Sequence, residues 1–230
     1  MKILAVDTSS KVSSCALAED DKLLAECVVN NGLTHSQTIL PMIDEVLKKS
    51  GTDIENIDVF AVTNGPGSFT GLRIGVTTIK ALAHATGKKV VGVNTLEALC
   101  YNLPYCPHII SPIMDARREQ VYNAFYRFED GVLKEITAPR AARLVDCLEE
   151  LKKMGEKVVF LGDGINVFRD KIEKELGNSA LFAPQTVNGQ RASSVAEASK
   201  SKTAVGYGEL KPEYFRKSQA ERELEERGNI

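Results

Sequence analysis

The 230-residue chain carries 29 lysines and arginines against 31 aspartates and glutamates, and 43% of its residues are hydrophobic. These are the proportions of a globular chain, and no apolar run approaches the ~20 residues of a membrane span, so a soluble, cytoplasmic protein without membrane contact is expected. A formal charge of −2 lacks the basic excess of a domain that holds nucleic acid alone, so any RNA contact is expected to be shared with a partner.

Lys2 to Asp7 is a short apolar run that reaches an acid at once, and it reads as a strand rather than a leader. Further β-rich runs at Val12 to Ala18 and Lys22 to Val29 are separated from it and from each other by polar turns, which predicts an antiparallel meander. Thr34-His35-Ser36-Gln37 has the form of a capping box and opens a helix that runs to about Ser50, before Gly51. On that helix Ile39, Leu40, Met42, Ile43, Val46 and Leu47 cover an arc of roughly 160° at ~100° per residue, wider than one sheet-facing surface requires. A second contact, to a neighbouring helix or another chain, is expected there.

Asp58 to Thr63 is the next strand, followed by the most distinctive segment, Asn64 to Gly75, which reads Asn-Gly-Pro-Gly-Ser-Phe-Thr-Gly-Leu-Arg-Ile-Gly. Gly65, Gly67 and Gly71 can bring backbone close to a phosphate at a helix N-terminus, whereas Gly71 and Gly75, one helical turn apart, would let a partner helix approach closely. The segment lacks the Lys-Ser/Thr ending of a P-loop, and its glycine spacing is one residue too long for the dinucleotide fingerprint. Packing is therefore the preferred reading, with Asp7, Gly65, Gly67 and Gly71 kept as candidates for nucleotide contact. The helix from Gly71 to Thr86 turns Leu72, Val76, Ile79 and Ala83 to a core. Ile74, Thr78, Ala81 and Ala85 form a separate stripe of mostly small residues, suited either to an interface or to helix packing within the chain.

Lys89 to Val93 and a helix at Thr95 to Leu103 complete a first lobe, residues 1–103, bounded by Pro104 to Pro107. The second lobe, 104–230, opens as the first did, with strands at Ile109 to Met114, Gln120 to Phe128 and Leu133 to Ile136 and a helix at Leu144 to Met154. A strand at Lys157 to Leu161, the Gly162-Asp163-Gly164 turn, helices at Val167 to Leu176 and Ser193 to Lys202, and a charged tail at Glu221 to Arg227 follow. Two strand-then-α/β halves of unequal completeness predict a duplicated α/β architecture. Asp7, Asp115 and Asp163 stand at strand ends, where turn formation competes with a shared general-base role. Arg117-Arg118, with Arg140 and Arg143, form a basic patch or solvated surface. The five cysteines contain no Cys-x-x-Cys pair and the three histidines lie far apart, so neither a disulfide framework nor a metal set is expected.

Segments in order along nearly the whole chain resemble signatures of the TsaB (YeaZ) family: Ile3-Leu4-Ala5-Val6-Asp7-Thr8-Ser9, Thr34-His35-Ser36, Gly65 to Gly75, Asp115 to Tyr122, and Gly162-Asp163-Gly164. The resemblance implies an actin-like and Hsp70-like (ASKHA, RNase H-like) tandem of two ββαβα-type lobes, the second reduced. It also implies a non-catalytic subunit that supports threonylcarbamoyl transfer to tRNA adenosine by binding and activating the catalytic subunit TsaD. TsaE is the implied ATP-hydrolysing third partner, so ATP would enter only through TsaE or a composite site, and tRNA only through the complex. The implied docking surface comprises Thr34, Ser36, Leu40, Ile43, Leu47, Gly71, Arg73, Ile74, Thr77, Thr78, Ala81 and Ala85, and the same face would make a homodimer in isolation.

TsaD-like relatives carry a His-x-x-x-His metal motif where this chain has Thr95 and Leu99, and neither replaces an imidazole as a ligand. The actin-like first phosphate loop has a glycine after its aspartate, whereas Asp7-Thr8-Ser9-Ser10 has none. Competing readings are an independent actin-like ATPase using Asp7 and the Gly65 to Gly71 loop, a peptidase acting on TsaD with Ser36 beside His35, and a stand-alone tRNA-binding module.

Overall fold

In the computed structural model, which describes residues 1–216, β1 (Lys2–Asp7), β2 (Ser13–Glu19) and β3 (Lys22–Val29) form the expected antiparallel meander. The tail expected at Glu221 to Arg227 lies outside the described residues. β1 is covered on both faces. Leu4 and Val6 enter one core beneath helices α1 (His35–Ser50) and α2 (Phe69–Thr86), while Ile3 and Ala5 enter another on the opposite face. β4 (Val59–Gly65) and β5 (Lys89–Asn94) add as parallel strands beyond β1, giving the order β3-β2-β1-β4-β5. Parallel neighbours need a crossover, and α2 supplies it between β4 and β5.

α1 begins where the capping box places it: Gln37 Oε1 accepts the Thr34 N–H at 3.2 Å and the Thr34 hydroxyl at 2.8 Å. α2 starts two residues before the expected Gly71, because Ser68 acts as N-cap and its hydroxyl accepts the Gly71 N–H at 3.3 Å. Its stripe of Leu72, Val76, Ile79 and Ala83 is buried, as the periodicity requires. α3 (Thr95–Cys100) is shorter than expected and lies between the lobes, with Ala98 in the first lobe's core and Leu96, Leu99 and Cys100 in the second's.

The second sheet is built from β6 (Ile109–Asp115), β7 (Gln120–Glu129), β8 (Val132–Arg143), β9 (Val158–Leu161) and β10 (Ala180–Phe182), with helices α4 (Leu144–Met154), α5 (Ile165–Leu176) and α6 (Gln185–Asn188). Its order, β10-β9-β6-β7-β8, repeats the first sheet's plan of an antiparallel meander extended by parallel strands. β8 runs well past the expected Leu133 to Ile136. Pro139 falls where the register shifts between the Asn123 and Phe125 pairings, on an edge strand, where a missing N–H interrupts no second ladder. The three-residue β10 and the four-residue α6 were not expected at all.

α7 (Ala192–Ser199) corrects the expected division of the chain at residues 103 and 104. Ala192, Val195, Ala196 and Ala198 pack on the first sheet, against Ala5, Ala16 and Ala61, so the first lobe takes in residues from the end of the chain. Glu26 on β3 anchors this return: it pairs with Arg191 and accepts the Ser193 N–H at 3.0 Å and hydroxyl at 2.6 Å. Among the described residues no helix is long and apolar enough to cross a membrane.

The glycine segment closes on the β1–β2 turn. Ser68 N–H donates to Ser9 O at 2.7 Å and the Thr8 hydroxyl to Gly71 O at 2.8 Å. A Cβ at Gly67 would sit 2.4 Å from Ser9 O, and one at Gly71 2.1 Å from Thr8 O, so only glycine permits this approach. Gly71→Ala is expected to destabilise the fold by about 1–3 kcal/mol through overpacking, read as a lower urea midpoint. Gly208→Ala, where an added methyl meets nothing within 4 Å, should leave the midpoint unchanged.

Candidate functional site

The ends of the two sheets meet across a cleft of about 1140 Å³, lined from the first lobe by Ser9, Ser10, Lys11 and the glycine segment and from the second by Asp115, Arg117 and Asp163. Of the three strand-end carboxylates, Asp115 and Asp163 come together, Asp163 Oδ1 accepting the Asp115 N–H at 3.2 Å. Burial pushes the Asp163 carboxyl up, the hydrogen bond from the Asp115 N–H opposes this, the Asp115 carboxylate adds to it, and Lys11 and Arg117 oppose it.

Asp7 does not join them. It is 1% exposed, and its Oδ1 accepts the Ser9 N–H at 2.8 Å and the Ser9 hydroxyl at 2.7 Å, the turn-forming role of a strand-end aspartate. Its Oδ2 is buried beside the Thr63 hydroxyl, which helps to oppose the upward shift of the carboxyl without making a well-formed hydrogen bond. Burial raises the Asp7 carboxyl despite the two bonds from Ser9. No shared three-carboxylate set is assembled.

Gly65, Gly67 and Gly71, the candidates for phosphate contact, spend their missing side chains on the backbones of Glu213, Ser9 and Thr8. Thr95 and Leu99 are both buried within α3. Among the described residues no three His, Cys, Asp or Glu side chains cluster as a metal site. Arg140 and Arg143 pair with Glu150 at 2.5 Å and Asp146 at 2.6 Å, so neither extends a free basic patch from Arg117.

His35 is tied at both nitrogens. Nε2 lies 2.7 Å from Ser10 O, which can only accept, so Nε2 carries the proton and Nδ1 accepts from the Ser13 hydroxyl at 2.6 Å. Ser36 turns away and lies 3.1 Å from the Thr34 hydroxyl. The Ser13 and His35 pair has the reach of a nucleophile and base, yet Ser13 is 3% exposed, and the pair fastens α1 to the β1–β2 turn.

The outward side of α1 and α2 is a second surface. Ile39, Met42, Ile43 and Val46 are buried in the core, so the wide apolar arc of α1 continues outward only through Leu40, 54% exposed, and half-buried Leu47. On α2, Arg73, Thr77, Ala81 and Ala85 are exposed and Ile74 and Thr78 half-buried. Thr34 and Ser36 are exposed at the start of α1. Two residues assigned to the docking surface are corrected: Ile43 is 3% exposed within the core, and Gly71 is buried against Thr8. The sequence reading missed Lys11, whose place in a polar turn before a strand was its only signal, and Leu33, 55% exposed at the cleft edge.

A carboxyl whose folded value is raised contributes stability below its unfolded value and loses it as pH rises. Ionised Asp7 is therefore a cost at neutral pH. Asp7→Asn keeps an Oδ1 for Ser9 and offers a donor toward Thr63, so it should melt higher than the parent at pH 7 to 8. The difference should shrink toward pH 4, measured by scanning calorimetry across that range.

A family model described as TsaD, tRNA N6-adenosine threonylcarbamoyltransferase, matches residues 30–223. The chain is 34% identical over 221 residues to the tRNA threonylcarbamoyladenosine biosynthesis protein TsaB of Bacillus subtilis, covering 96% of each. It is 36% identical over 112 residues to a tRNA N6-adenosine threonylcarbamoyltransferase of Anaeromyxobacter dehalogenans, covering 42% of this chain and 34% of that one. A crystal structure from Pseudomonas aeruginosa, described as an uncharacterized protein with similarity to peptidase YeaZ, superposes with a TM-score of 0.78 at 22% identity over 94% of this chain and 99% of that one. At 34% identity across 96% of both chains, this chain belongs to the TsaB (YeaZ) family of tRNA threonylcarbamoyladenosine biosynthesis proteins, and its paired five-stranded sheets carry the actin-like fold.

Proposed function

We propose that this chain is a non-catalytic subunit that supports threonylcarbamoyl transfer to tRNA adenosine by docking its α1 and α2 face onto a TsaD-type catalytic subunit and activating it. The observation that carries this reading is the outward stripe of α2, where Ala81 and Ala85 stand exposed on a helix whose core face is already filled by Leu72, Val76 and Ile79. Small side chains let a second helix approach closely. The partial match to a TsaD-type enzyme supports a partner related to part of this chain, for which equivalent helices would pair about a pseudo-two-fold axis. The same face makes a homodimer when the chain is alone.

The remaining polar groups support a supporting role over a catalytic one. Asp7, Thr8, Ser9, Ser13 and His35 are engaged in holding the β1–β2 turn, α1 and α2 together. ATP acts through TsaE or at a site shared between subunits, and tRNA binds through the assembly. Turnover of ATP or cleavage of TsaD by the purified chain alone would overturn this reading in favour of the ATPase or peptidase.

Ala81→Arg places a charge on the exposed stripe without touching the core. It should weaken pairing with the TsaD-type subunit by roughly 30-fold or more, the equivalent of losing a ~2 kcal/mol hot spot, in sedimentation or calorimetric titration. Circular dichroism and melting should match the parent. Reconstituted tRNA modification should fall in parallel, and undiminished pairing would refute the placement of the face.

A further inference from the structure

After α7 the chain runs back along the outer edge of the first sheet, where Val205 and Val90 exchange two backbone hydrogen bonds of 2.9 Å. Leu210 is 4% exposed, and Glu213 N–H donates to Asn64 O at 2.7 Å. A Cβ at Gly65 would sit 2.2 Å from Glu213 O, so the first glycine of the motif accommodates this strap. Tyr214 then stacks on Phe69, with centroids 4.5 Å apart and ring planes at 29°. Its hydroxyl accepts from Arg73 Nε at 2.9 Å, and the same guanidinium lies 3.9 Å over the Phe69 ring.

The next two residues reach the second lobe. Phe215 meets Tyr122 edge-on at 6.5 Å, and Arg216 donates to Ala116 O and, at 3.4 Å, to Arg117 O. Those carbonyls enter a strained turn: Arg117, Arg118 and Glu119 have φ of 66°, 53° and 59°. Three consecutive left-handed residues with side chains persist only where the surroundings over-determine them. Asp115 Oδ1 holds the Arg117 N–H at 2.8 Å and Gln120 N–H holds Arg117 O at 3.1 Å, and Arg216 adds charged donors to the same turn. Asp115 and Arg117 are also walls of the cleft.

We propose that residues 205–216 are an interlobe clamp, latched on the first lobe by Tyr214 against Phe69 and Arg73 and on the second by Arg216, and that it holds the 115–120 turn in position at the cleft. Tyr214 sets the direction in which the strap leaves the first lobe, and Arg216 acts from that point on the turn. The clamp operates in the isolated chain and requires no docking on α2.

Hydrogen exchange read by mass spectrometry on the full-length chain tests it. Tyr214→Ala and Arg216→Ala should each speed exchange in a peptide spanning 115–122 by about tenfold or more, as for a turn released from a protecting contact. Amides of β6 and β9 should stay as protected as in the parent. Tyr207→Ala, on the same strap but facing His84 at 4.7 Å rather than the second lobe, should leave 115–122 unchanged. Unchanged exchange there in either latch variant would overturn the clamp, because two independent contacts would then suffice. A rise spread equally through β6 and β9 would also overturn it, since that reports a loosened lobe.

Discussion

The close approach of the glycine segment to the carbonyls of Thr8 and Ser9 is the constraint around which the first lobe is arranged. It seats the N-terminus of α2 against the end of β1, where Ser68 bonds to Ser9 and Thr8 to Gly71. With that end fixed, the helix direction decides which residues face inward, and Leu72, Val76 and Ile79 take the core. α1 is fastened to the same turn by His35, through Ser10 and Ser13. One polar knot thus sets the orientation of both helices. Each bond contributes on the order of 1 kcal/mol net, but a knot without room for a methyl group also has few alternative packings.

That economy has a chemical side. A buried aspartate, a histidine and several hydroxyls at the end of a strand are the materials of an active site, yet here they bond mostly to one another and to nearby backbone. Asp7 is enclosed, and His35 has no nitrogen left to serve a substrate. The cleft keeps a balanced set, Asp115 and Asp163 against Lys11 and Arg117, rather than a strong field of one sign. By contrast, the helical face turns small and apolar groups outward, where the change available on burial is desolvation and contact rather than chemistry.

Much of the first lobe was legible because its signals are local. The Thr34 to Gln37 box, the inward stripe of α2 and the alternation of the meander each depend on residues within a few positions of one another. The wide arc of α1 was read correctly as apolar but assigned too freely outward: Ile43 sits between the sheet and the helix, and only Leu40 and Leu47 continue past it. What failed was information carried by distant parts. Pro139 disguised the length of β8, because a proline is tolerated on an edge strand at a register shift. The destination of α7 depends on the shallow alanine-lined face of the first sheet, at Ala5, Ala16 and Ala61, which nothing near residue 192 encodes. The purpose of Gly65 was hidden for the same reason, since its neighbour is Glu213.

Arg73 is where these levels converge. Its position on α2 is set by the glycine segment, its guanidinium lies over Phe69 and bonds Tyr214, and it stands on the outward face beside Thr77. An arginine held over an aromatic ring and bonded to a tyrosine hydroxyl loses little further freedom when a second group bonds to it, so this is an ordered rather than a floppy charge. A body seated on the α1 and α2 face therefore meets a guanidinium already committed to the strap. Through Tyr214 and Arg216, that strap is continuous with the turn bearing Asp115 and Arg117 at the cleft. The outward face of α1 and α2 and the cleft are thus joined by a short run of specific contacts, so a change at Arg73 has a physical route to the opposite lobe without any movement of the sheets.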